Sequence, residues 1–179
     1  MINRRKTRIA EEDQGREMGE VIEQITPVRI LRSMRRMLGT QPAGLQVAAL
    51  PWRRTKSGIE IMLITSRAQG RWVLPKGWPE TGEELCTAAA REAHEEAGLL
   101  GAISSSMAGH YVYLKTMDDG DLRCEVMVYP LEVGATASKW KEKGKRRRKW
   151  FAPEKAADSV AEPELSQLIR SFASAQHDA

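Results

Sequence analysis

Hydrophobic and polar positions divide the chain into stretches of different period. Residues 1–20 are polar and charged, with no recurring apolar position, and predict no packed element. From residue 27 to 38 the pattern becomes helical. Ile30, Leu31, Met34, Met37 and Leu38 fall on one side, Arg29, Arg32, Arg35 and Arg36 on the other, and Gly39 is a natural stop. Residues 40–44 read as a linker. Residues 45–50 and 59–65 read as strands joined by a charged turn through residues 53–58, and Trp72-Val73-Leu74 is a short apolar piece stopped by Pro75. A strong helix spans residues 83–97. Strands follow at 109–116 and 122–129, and Asp119-Gly120 between them is a hairpin signal. In the second of these, Leu122, Cys124, Val126 and Val128 alternate with Arg123, Glu125, Met127 and Tyr129. Trp150-Phe151 reads as a short strand, and helices are expected at 153–160 and 163–173. Strands before, around and after a central helix predict a mixed α/β (α+β) layered domain over residues 45–175, with an extension at 1–44 that carries the basic amphipathic helix and a tail at 176–179.

The helix at 83–97 contains a conflict. Thr81 with Glu84 three residues on reads as a capping box, and Gly98 stands where a left-handed residue closes a helix. At about 100° per residue, Leu85, Ala88, Ala89, Ala93 and Ala97 form one apolar side, with Thr87, Ala90 and His94 opposite. Glu92 and Glu96 fall inside the apolar arc and Glu95 at its edge, where a plain amphipathic helix would carry leucine or isoleucine. Clustered carboxylates withdrawn from water repel one another, and a divalent cation such as Mg²⁺ or Mn²⁺ would relieve that. The other reading of this helix alone is a solvated acidic face.

Composition adds location and partners. There are 28 Lys and Arg against 24 Asp and Glu, a net charge of +4, too small an excess to imply nucleic acid. Two cysteines cannot form a disulfide framework or a zinc site, and the three histidines are scattered. No apolar run approaches the ~20 residues of a membrane span, and the N-terminus has no signal-peptide core, so a cytoplasmic location is expected. The basic run at 141–149 could hold the phosphates of a small-molecule polyphosphate, Arg146 and Arg148 sharing one face of an extended strand and Arg147 the other; a solvated hairpin is the alternative. The arginine-rich helix at 27–38 could touch RNA or a membrane surface, but is expected rather to pack its apolar side on the domain or to pair two subunits as a homodimer. The five tryptophans read mainly as packing residues and His94 as a surface residue.

Gly77, Glu83, Arg91, Glu92, Glu95, Glu96, Gly98 and Leu99 satisfy the pattern G-x5-E-x7-R-E-U-x-E-E-x-G-U, in which U is a bulky aliphatic residue; only the first U departs, as Ala93. The chain thereby resembles the Nudix hydrolase superfamily. That resemblance implies a mixed β-sheet sandwiched between helices and a Mg²⁺- or Mn²⁺-dependent enzyme that cuts a phosphoanhydride bond by water attack. It implies Glu92, Glu96 and the Gly77 carbonyl as metal ligands, Glu95 as base or as a ligand through water, and Arg91 as the residue that orients a helix carboxylate. The segment 71–77 and the stretch 140–151 are further similar to diphosphoinositol polyphosphate phosphohydrolases and diadenosine polyphosphate hydrolases, adding Arg71, Lys76, Arg146 and Arg148 as substrate contacts. Gln46 and Val47 stand where diphosphoinositol-handling members carry basic residues, and Lys76 replaces a common glycine, so a dinucleoside polyphosphate stays open beside an inositol pyrophosphate. Other nucleoside diphosphate derivatives (ADP-ribose, a nucleotide sugar, an RNA 5′ end) and a non-catalytic nucleotide-binding module are the remaining alternatives.

Overall fold

The structure, a computed structural model, describes residues 44–117 and 120–177. The expected helix at 27–38, its part in a homodimer and the last two residues of the tail lie outside the described residues.

Two apolar runs, Val47-Ala48-Ala49-Leu50 and Ile61-Met62-Leu63-Ile64, are buried throughout rather than at alternate positions. That requires a sheet covered on both faces. They belong to β1 (Gly44–Thr55) and β2 (Gly58–Thr65), which form a tight antiparallel hairpin with Thr55 opposite Gly58. β3 (Trp72–Val73) and β4 (Lys76–Gly77) follow, then helix α1 (Leu85–Ala97), β5 (Leu99–Ile103), β6 (Gly109–Met117), β7 (Gly120–Thr136) and β8 (Arg148–Phe151). Helices α2 (Pro153–Ser159) and α3 (Pro163–His177) close the described chain. The strands form one mixed sheet with the path β3-β2-β1-β7-β5; β1 and β7 run parallel and every other pair antiparallel. Ala48, Leu50, Ile61, Leu63, Val126 and Val128 pack under α2 and α3, and Val47, Ala49, Met62, Ile64, Tyr129 and Leu131 under α1. The architecture is the helix–sheet–helix sandwich expected from the sequence.

Four details differ from the expectation. The helix begins at Leu85, not at residue 83, and Glu84 at its cap makes no side-chain capping bond, so the Thr81–Glu84 capping box does not form. Gly82 is left-handed, and Glu83 accepts a hydrogen bond from the Glu80 amide at 3.0 Å and two from Arg91; these ties hold it in the turn before the helix. β5 carried no signal, because only Leu99 is buried in it and its apolar positions do not alternate. β1 runs on through the charged residues to Thr55, and β7 continues to Thr136, past Pro130, with Tyr129 and Leu131 buried against α1.

Candidate active site

Helix α1 approaches the sheet closely because its buried side is four alanines, Ala88, Ala89, Ala93 and Ala97. Gly98 ends it with φ 66°, its amide bonded to the His94 carbonyl at 2.8 Å. The Trp140 ring lies against Gly98, so that a Cβ there would come within 2.7 Å of it. The helix therefore brings its glutamates to the edge of the core. Glu92 and Glu96 keep only 13% and 11% of their side chains exposed.

β4 stands where these carboxylates meet the sheet. Its two residues pair with β1, Lys76 opposite Ala48 and Gly77 opposite Val47. Partners across a ladder share a face, so Gly77 belongs to the α1 face and Lys76 to the face under α2 and α3. Gly77 lies so close to Glu92 that a Cβ would fall inside the carboxylate, and only glycine fits. On the other side the Lys76 amide donates to Glu96 Oε2 at 3.0 Å. Arg91 gathers the next layer: its guanidinium donates to Glu83 (2.9 and 3.0 Å), to Glu92 (2.8 Å) and to the Trp78 carbonyl (3.0 Å), and stands 3.8 Å from Glu95.

The loop between β7 and β8 supplies the other cations. Lys141 binds Glu95 at 2.6 Å, and its ammonium is raised by that contact. Arg146, 11% exposed, binds Glu96 while donating to Glu142 (2.6 Å) and to the Thr65 carbonyl (3.1 Å). Burial pushes the Glu96 carboxyl up to about 7, against the opposing pull of Arg146 and the Lys76 amide. It also raises Glu92, whereas the hydrogen bond from Arg91 lowers Glu83. The Lys76 ammonium is lowered by burial despite Glu96 and Glu162 nearby. Among the described residues no three Asp, Glu, His or Cys side chains form a ready metal cage. The oxygens that do come together are two desolvated carboxylates and the backbone at Gly77, a hard donor set that fits a small divalent cation; here Arg91 and Arg146 supply the positive charge.

A family model described as NUDIX domain matches residues 43–172. The chain belongs to the Nudix family. Among its Nudix relatives, Nudix hydrolase 16, mitochondrial, of Arabidopsis thaliana is 32% identical over 114 residues, covering 62% of this chain and 63% of that protein. Diphosphoinositol polyphosphate phosphohydrolase 2 of Rattus norvegicus is 30% identical over 113 residues, covering 62% and 59%. The chain thus matches less than two thirds of the length of these relatives. The fold is also that of the C. elegans Ap4A hydrolase binary complex, with a TM-score of 0.59 at 21% identity over 76% of this chain and 100% of that one. No helix among the described residues is long and apolar enough to cross a membrane.

Gly77, Glu83, Arg91, Glu92, Glu95 and Glu96 of the box thus lie together, and the residues expected from the sequence to contact substrate divide. Lys76 and Arg146 join the site. Arg148 is on the same side as Arg146 but donates to the Ala97 carbonyl at 2.5 Å and stacks over Trp140 at 4.3 Å, at the end of α1. Arg147 faces the other way, over Trp72. Arg71 is exposed, its amide and carbonyl closing the turn on Ser66. Nor is His94 a surface residue: it is half-buried, with Nδ1 enclosed. Sequence reasoning missed Lys141 and Glu142 as separate partners of Glu95 and Arg146, because one basic run conceals them.

Proposed function

We propose that this chain is a divalent-cation-dependent pyrophosphohydrolase that cleaves a phosphoanhydride bond of a dinucleoside polyphosphate or diphosphoinositol polyphosphate. The observation that supports this reading best is the pair of desolvated carboxylates, Glu92 and Glu96, beside a glycine that admits no side chain. Glu92, Glu96 and the Gly77 carbonyl hold the cation, Mg²⁺ or Mn²⁺. When bound, it supplies positive charge against the diphosphate oxygens and acidifies water. Glu95, the most exposed of the three carboxylates Glu92, Glu95 and Glu96, takes the proton of the attacking water. Arg91 fixes the orientation of Glu92 from the opposite side. Lys76 and Arg146 meet phosphate oxygens, with Arg71 and Arg148 as outlying contacts.

The test is turnover of Glu92→Gln and Glu96→Gln at saturating Mg²⁺, over dinucleoside polyphosphates, inositol pyrophosphates and ADP-ribose. Each variant is expected to lose roughly two orders of magnitude or more and to remain folded. Near-normal turnover in either would remove that residue from the metal set.

A further inference from the structure

The loop between β7 and β8 is fastened to its surroundings at three places. The Ala137 amide donates to the Gly98 carbonyl at 2.7 Å, and the Glu142 amide donates to the Glu95 carbonyl at 3.0 Å. Arg147 and Thr65 hold each other, the Thr65 amide on the Arg147 carbonyl at 2.9 Å and the Arg147 amide on Thr65 Oγ1 at 3.0 Å. Glu142 is therefore seated on α1, at the residue next to Glu96. Its carboxylate is engaged at both oxygens. Oε2 accepts the Arg146 Nε–H at 2.6 Å, and Oε1 lies 3.5 Å from Arg67 in the turn between β2 and β3. Arg146 also places Nη1 on the Thr65 carbonyl at 3.1 Å and Nη2 on Glu96, so its plane is fixed at three points. Three of its five guanidinium N–H donors are thus engaged, and one on each Nη is left.

The Glu142–Arg146 pair is not an exposed i, i+4 contact of small worth, because only 14% and 11% of the two side chains are exposed. Stability is a weak reason for it. A buried ion pair loses hydration on both partners and often does no better than an apolar pair. Attraction of substrate does not explain Glu142 either, since a carboxylate beside a polyphosphate repels it. What the contact supplies is direction. A free arginine side chain rotates about several bonds, and holding it before the substrate arrives removes an ordering cost from binding.

We propose that Glu142 is a positioning residue for the hydrolysis: by gripping Nε it aims the remaining N–H donors of Arg146 at the phosphate chain. Through its amide on Glu95 it keeps that aim in register with the glutamates of α1. This rests on the pyrophosphohydrolase reading, in which Arg146 meets phosphate oxygens, and adds the residue that makes it do so. The role requires reach rather than charge. Glutamine keeps the reach and an oxygen that accepts the Nε–H; aspartate keeps the charge and is one methylene short.

The experiment compares wild type, Glu142→Gln, Glu142→Asp, Arg146→Ala and the double variant Glu142→Asp/Arg146→Ala on a five-phosphate dinucleotide and on ADP-ribose. Calorimetric binding of the five-phosphate compound in an uncleavable, methylene-bridged form gives a readout independent of turnover. Glu142→Asp is expected to raise KM for the five-phosphate dinucleotide and to weaken calorimetric binding by about tenfold, the lower end for one charged hydrogen bond. Its kcat should stay within about threefold of wild type, and its loss on ADP-ribose should be smaller. Glu142→Gln should lie close to wild type. In the Arg146→Ala background Glu142→Asp should cost nothing further, because the group it aims is gone. Glu142→Gln impaired beside a normal Glu142→Asp would make charge the operative property and overturn the proposal. So would a double variant whose loss is the sum of the two single losses, or a loss confined to kcat, which would place the carboxylate in the chemistry itself. A wild type that bound no five-phosphate compound would overturn it as well. If wild type bound the uncleavable compound with this order of variants yet cleaved neither substrate, the hydrolase reading would fail and the positioning of Arg146 would stand.

Discussion

Glu96 is neutralised in part by Arg146 and still held near 7, which shows how strongly burial bears on it. The carboxyl titrates at its ordinary value, near 4.5, once the chain unfolds. Between about pH 4.5 and 7 the folded protein therefore holds a proton that the unfolded chain has released, so the stability contributed at this residue falls as pH rises through that window. Glu96→Gln stays neutral throughout. Metal-free wild type is expected to lose stability relative to Glu96→Gln on going from pH 4.5 to 7.5, by up to about 3 kcal/mol. Urea titrations of the two proteins at both pH values measure it, and a pH-independent difference would mean that Glu96 is not desolvated. Gly77 is the sharper steric test. A Cβ there would fall inside the Glu92 carboxylate, which can move only by leaving Arg91. Gly77→Ala should therefore fold but lose on the order of a hundredfold in turnover, the scale expected for about 1 Å of misplacement. Turnover within threefold of wild type would show that Glu92 has room the structure does not give it.

Elements were legible in the sequence where one physical signal dominated. Continuous apolar runs marked β1 and β2, strict alternation marked the first half of β7, and the box spacing marked α1 and its carboxylates. Legibility failed where tertiary contacts decide the outcome. Glu83 leaves the helix because Arg91, eight residues on, holds it in the turn. β5 is a strand only because β7 runs far enough to pair with it, from Leu99↔Thr136 to Ile103↔Leu131. The β7–β8 loop read as one basic run, yet its members do different work. Arg146 reaches Glu96, Arg148 binds the end of α1, and Arg147 lies over Trp72. These contacts separate the expected effects of substitution. Arg146→Ala should lower kcat/KM for a five- or six-phosphate dinucleotide more than for ADP-ribose, by one or two orders of magnitude at fixed salt. Arg148→Ala removes a cation from a helix C-terminus and should mainly lower the melting temperature, by a few degrees for about 1 kcal/mol. Equal losses of Arg146→Ala on the two substrates would mean that this loop does not read phosphate chain length.

Over the whole domain, the sheet separates two cores, and β4 is where the site reaches both of them. Gly77 touches the α1 side through Glu92, and Lys76 the α2–α3 side. The charges that converge there come from α1, from β4 and from the β7–β8 loop, segments as much as 70 residues apart in sequence (Lys76 to Arg146). In the unfolded chain they do not meet, so a divalent cation that needs Glu92, Glu96 and the Gly77 carbonyl together binds the folded state alone. Such a ligand stabilises by RT ln(1 + [L]/Kd), about 2.7 kcal/mol at a hundred times Kd. At roughly 2–4 °C per kcal/mol for a domain of this size, the melting temperature of chelator-stripped protein should rise by about 5–10 °C in saturating Mg²⁺ or Mn²⁺. The sign of its pH dependence follows from Glu96. Below about 7 a proton competes with the cation for that carboxylate, so the metal-induced shift should shrink on going from pH 8 to pH 5.5 at fixed metal concentration. Glu96→Gln should abolish most of the shift at pH 8. A shift that survives in both Glu92→Gln and Glu96→Gln would put the cation elsewhere on the protein and leave the two desolvated carboxylates to their arginines.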